Sequence, residues 1–125
     1  MKKLLLIIIF IFSISPLHAE WKPIIQLENL SQYIETNSIK PKGKIVSYWM
    51  LEDHTSLQDG SWLSMKYKSE NNCETEEFRH ISLNYYSENM GNGKAVSNIN
   101  NISPWSHVVP GTISEYIHKF VCKKR

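Results

Sequence analysis

Two cysteines, five histidines and a short acidic run are the side chains of this sequence most able to do chemistry. Cys73 and Cys122 are the whole cysteine content. As thiolates they could act as nucleophiles or metal ligands; as an even pair in an oxidising compartment they read as one disulfide. His118 precedes Cys122 by four residues, which places both on one helical face at a spacing able to hold a metal. Two ligands do not make a site, and His54, His80 and His107 fall in no HExxH or CxxCH frame. Glu74, Glu76 and Glu77 follow Cys73. Paired carboxylates can share acid and base work in a cleft; on a turn or strand end they are simply solvated. No GxSxG supplies a nucleophile elbow. Gly91-Asn92-Gly93-Lys94 ends like a phosphate loop, but the first glycine of GxxxxGK falls on Glu88, so the run reads as a hairpin turn. Asn101-Ile102-Ser103 is a chance match to a glycosylation sequon. The expectation is a protein without catalytic residues, cofactor or metal.

The elements that position these residues begin after a leader. Lys2 and Lys3 precede an apolar run, Leu4 to Phe12, and Ser13 to Ala19 supplies a small residue before Glu20. This is the pattern of a signal peptide over residues 1–19, cut between Ala19 and Glu20. The apolar run is shorter than the roughly 20 residues that span a bilayer. The expectation is therefore export, to the periplasm or the cell surface, with residues 20–125 as a single domain in an oxidising setting. No Cys follows the apolar run, so no lipid anchor is expected. Of the 125 residues, 106 then remain, enough for one modest core. Both leader lysines leave, so 12 basic side chains balance 12 acidic ones. A balanced chain is no nucleic-acid binder. Lys123-Lys124-Arg125 reads as a solvated helix end that complements the helix dipole. A Cys73–Cys122 bond would close a loop of about 50 residues, for roughly 4 kcal/mol in the chain-entropy account.

Strand patterns dominate residues 20–125. Trp21–Leu27 is a first strand, with Pro23 placing it at an edge. Gln32–Glu35 is a short second one. Ile45–Leu51 carries bulky residues on both faces and reads as central. Asp59-Gly60 turns the chain into Ser61–Lys68, where Leu63, Met65 and Tyr67 alternate with Ser64, Lys66 and Lys68. Asn71-Asn72 reads as the next turn. Thr75–Tyr86 follows, with Arg79, Ile81, Leu83 and Tyr85 on one side, then Gly91–Gly93 and Lys94–Ser97. Thr112 and Glu115 form a capping box. Ile113, Tyr116, Ile117, Phe120 and Val121 recur at helical spacing behind it. The fold class is thus α+β: an antiparallel sheet of five to six strands, a C-terminal helix packed on it, and one disulfide.

Four Trp and six Tyr are many for this length, and most read as core or sheet-face packing. Trp62 differs, because alternation puts it on the polar face with Ser64, Lys66 and Lys68. Either it is a binding anchor flanked by lysines, or the helix or a loop covers it.

One ordered set of residues spans nearly all of 21–122. It runs from Trp21 through Tyr33-Ile34-Glu35, Ser38-Ile39, Gly43 and Val46–Leu51. Cys73 and Arg79 follow, then Tyr86 and Met90-Gly91-Asn92-Gly93. Trp105, Pro110-Gly111 and Cys122 complete it. This set resembles the surface-adhesin protein E family of small exported Gram-negative proteins. The resemblance implies an antiparallel sheet with a packed helix and a Cys73–Cys122 disulfide. It also implies an adhesin that binds host matrix or serum proteins and can form a homodimer. Two departures stand out: family binding involves a lipid-anchored protein and a basic segment, whereas this chain has no lipid-accepting Cys and balanced charge. Lys66, Lys68 and Arg79 are the nearest equivalents of that segment and, with Trp62, the candidate binding residues. The alternative is a periplasmic structural or inhibitor-type protein acting on an envelope partner.

Overall fold

The computed structural model describes residues 19–123. The signal-peptide reading and the final Lys124-Arg125 lie outside the described residues. Among those described, eight strands form one antiparallel sheet: β1 (Trp21–Gln26), β2 (Leu30–Glu35), β3 (Lys40–Lys42), β4 (Ile45–Gln58), β5 (Trp62–Asn72), β6 (Glu77–Tyr86), β7 (Ala95–Ile99) and β8 (Ser106–His107). The order is β1-β2-β4-β5-β6-β7. β3 lies on the same edge of β4 as β2, and β8 on the same edge of β6 as β7, because β5 occupies the other edge of both. Six strand positions therefore carry eight strands. One α-helix, α1 (Ile113–Cys122), follows the sheet among the described residues.

β4 is central, as its two-faced bulk requires. Its neighbours Met50 and Leu51 point to opposite faces, and both are 0 % exposed. On the helix side Val46, Tyr48 and Met50 of β4 pack with Ile34, Tyr67 and Val121. Leu51 lies on the other side, outside that cluster. Pro23 sits on the edge strand β1, where its missing N–H breaks no ladder. The Cys73–Cys122 disulfide ties the turn after β5 to the last turn of α1.

Several local expectations give way to longer-range contacts. Asn71 and Asn72 do not turn the chain; they end β5 and are buried. The Asn72 side chain instead accepts from the Glu74 and Thr75 amides at 3.1 Å, which moves the turn to residues 73–76 and starts β6 at Glu77. Ile81 has no partner in β5, since Lys68 pairs with Ser82 and Ser69 with His80. This bulge reverses the alternation of β6. Arg79 therefore shares a face with Glu70, while Leu83 and Tyr85 share the other with Tyr67 and Met65.

The capping box also fails to form. Thr112 is the N-cap residue, but its hydroxyl lies 2.6 Å from the Val109 carbonyl and from Ser114 Oγ, and caps no amide. Glu115 pairs with Lys119 instead. The buried stripe of α1 is rotated toward His118 and Val121, leaving Tyr116 53 % exposed.

Candidate functional site

Nothing among the described residues forms a second layer on the face opposite the helix. Its apolar surface is covered by side chains of the sheet itself. Trp21 of β1, Trp49 of β4 and Tyr86 of β6 gather with Glu35 and Asn84 around Lys66 of β5. The Lys66 Nζ stands 5.9 Å from the Trp21 ring centroid and 5.5 Å from that of Tyr86. Both distances suit a cation over an aromatic face. β1 and β5 are three strand spacings apart, about 14 Å on a flat sheet. Side chains from both meeting here means that the sheet curls toward this face. Leu51, the cross-strand partner of Lys66, lies at the bottom of the concavity.

One end of the concavity is closed by the 3₁₀ turn Asn89–Gly91. Its Met90 amide donates to Asp53 at 2.9 Å and its Gly91 amide to Ser64 Oγ at 2.8 Å. The Lys66 chain runs directly over Gly91, where a Cβ would come within 2.3 Å of Lys66 Cε. Gly91 also has φ +72, so a residue without a side chain fits both the conformation and the contact. At the other end Arg79 lies between Glu70 and Trp105. Its Nε and Nη2 donate to Glu70 Oε1 at 3.0 and 2.9 Å, and its Cζ is 4.2 Å from the Trp105 ring centroid.

Three of the four expected binding residues therefore share one face. Lys66 is half-buried among rings. Lys68 has no ion-pair partner among the described residues. The charge of Arg79 is already matched by Glu70. Trp62 lies elsewhere. Its ring packs edge-on against His54 at 5.2 Å and Tyr85 at 4.9 Å, both on the helix side of the sheet. The register shift between Asp53 and Gln58 puts extra residues on β4 and bends this end of the hairpin, so that Trp62, the first residue of β5, meets His54 and Tyr85 rather than Lys66. The structure adds Lys40 and Lys42 to the Lys66 face, as cross-strand partners of Ser47 and Ile45. The Lys42-Gly43 turn signal concealed β3. Trp21, Trp49 and Tyr86 could be joined only by knowing the strand order.

The helix side holds a buried polar chain. Tyr48 Oη donates to Asn71 Oδ1 at 2.5 Å, and Asn71 Nδ2 donates to His118 Nδ1 at 2.9 Å. Ser69 Oγ lies 2.9 Å from His80 Nδ1. Burial holds both histidines below the ordinary imidazole value, with Glu76 partly opposing this at His118. Burial first, and then nearby charge, pushes the Tyr48 and Tyr67 hydroxyls above the usual phenol range, so both remain protonated donors. Cys122 Sγ lies 3.7 Å from the His118 ring nitrogens, but this sulfur is bonded to Cys73.

No curated protein matches the chain. Three solved structures of Haemophilus influenzae protein E share its fold. The selenomethionine form has a TM-score of 0.61 at 16 % identity, with 84 % of this chain and 94 % of that chain covered. Crystal form II has a TM-score of 0.60 at 14 % identity, with 86 % and 97 % covered. Protein E from the non-typeable form has 0.58 at 17 %, with 86 % and 80 % covered. Residues 21–123 match the family model of surface-adhesin protein E, and the chain belongs to that family.

Proposed function

We propose that this chain is an exported, non-enzymatic adhesin that holds a host matrix or serum protein against the concave face around Lys66. The observation that carries this reading is the set of Trp21, Trp49 and Tyr86 around a lysine with no ion-pair partner among the described residues, on a face that no second layer of those residues covers. Large rings with little conformational freedom, beside a cation, make effective interface anchors. Lys40, Lys42 and Lys68 on the same face favour an acidic segment of the partner, with electrostatics acting mainly on the rate of encounter. The leader-like residues 1–19 and the disulfide support a location outside the cytosol.

The direct test is a panel of immobilised matrix and serum proteins titrated with the processed chain. Saturable binding at micromolar concentration or tighter, weakening as salt is raised, is expected. Absence of binding across the panel at micromolar concentration would overturn the reading.

A further inference from the structure

A second cleft lies on the helix side of the sheet, away from the face proposed to meet a protein partner. It opens between the first turns of α1 and the sheet and encloses about 190 Å³. That is the scale of one aromatic ring, since a cavity of about 150 Å³ accepts benzene. Met50, Phe78, Ile113 and Ile117 supply apolar wall, and the rings of Tyr67 and His80 meet edge-on at 5.4 Å beside it.

One polar group here has no assigned partner. Tyr67 is 8 % exposed, and its hydroxyl makes no hydrogen bond among the described residues. No fully buried side-chain oxygen or nitrogen among those residues lacks a partner. The Tyr67 hydroxyl therefore retains some exposure, and Tyr67 lines the cleft. The other polar groups of the wall are engaged: Tyr48 with Asn71, Ser69 with His80, and Gln32 with Glu52. A second observation concerns the helix start. Thr112 caps no first-turn amide, and Ile113 and Ser114 of that turn line the cleft. Both features favour an acceptor on the ligand. The Glu52 carboxylate, which accepts from Gln32 of the wall, stands next to the space, however, and opposes a full negative charge.

We propose that this cleft binds a neutral, ring-sized molecule whose carbonyl or amide oxygen accepts a hydrogen bond from the Tyr67 hydroxyl. The proposal does not depend on the partner-binding face, and loss of binding there leaves it intact.

The test is an NMR titration of the processed chain with benzamide, and separately with benzoate. Benzamide should shift the amide signals of Tyr67, Ser69, His80 and Ile113 at millimolar concentration. Benzoate should bind at least about five-fold more weakly, and Tyr67→Phe should weaken benzamide by about the same factor, the worth of one buried hydrogen bond. Ile113→Trp, at the rim, should close the cleft to both. The proposal is overturned if benzamide shifts none of these signals. It also fails if benzoate binds as well, or if either variant binds benzamide like the parent chain.

Discussion

Asn71 joins three elements through a single side chain. It sits on β5, accepts from Tyr48 on β4 and donates to His118 on α1. Asn71→Ala would strand a buried hydroxyl and a buried imidazole, at about 1–3 kcal/mol. The expected result is a lower urea midpoint with an unchanged slope; an unchanged midpoint would remove Asn71 from its linking role. The histidines add a pH dependence whose sign follows from their direction of shift. Both are held below 6.5 in the folded chain, so the unfolded chain binds protons first as the pH falls. Their contribution is complete above about 6.5 and is lost as the pH drops through the lowered folded values. Stability measured by denaturant should therefore be lower at about pH 5.5 than at about pH 7.5, where His is neutral in both states. A flat or opposite trend would contradict the buried-neutral assignment.

At the scale of elements, the disulfide holds α1 to the sheet, supplementing the anchorage from Ile117, Val121 and the His118 contact. Reduction should lower stability by roughly 4 kcal/mol, read as the difference in urea midpoints with and without reductant. A loss below about 1 kcal/mol would mean that packing alone fixes the helix. Elements with strong local signals were legible in the sequence. β4 showed its two-faced bulk, β1 its edge proline, and α1 its 3.6-residue spacing. Elements set by distant partners were not. β3 and β8 are too short to show a period and exist because β4 and β6 outrun their neighbours. The Ile81 bulge and the Asx-type cap at Asn72 turn on single residues that any strand pattern absorbs. The candidate site was half legible for the same reason. Alternation along β5 put Lys66 and Lys68 together, yet it misplaced Trp62. The rings around Lys66 come from three other strands, and only the strand order β1-β2-β4-β5-β6 brings them to it.

At the scale of the whole molecule, the described residues are layered on one side of the sheet only. The helix covers one face of the sheet. The other face curls and shields Leu51 with its own rings and the aliphatic stem of Lys66, in the way that long cations cover apolar surface while keeping their charge accessible. Such a face keeps large apolar groups near solvent, which a partner can bury. The most direct measurement is the affinity of Lys66→Glu, Trp49→Ala and Tyr116→Ala for a panel protein that the processed chain binds. Tyr116 is exposed on α1, on the other side of the sheet, and controls for general surface effects. With each variant confirmed folded by its thermal midpoint, the concave-face account predicts at least about ten-fold weaker binding for the first two, or 1.4 kcal/mol, and parent affinity for Tyr116→Ala. Parent affinity in Lys66→Glu and Trp49→Ala, or a loss confined to Tyr116→Ala, would contradict it.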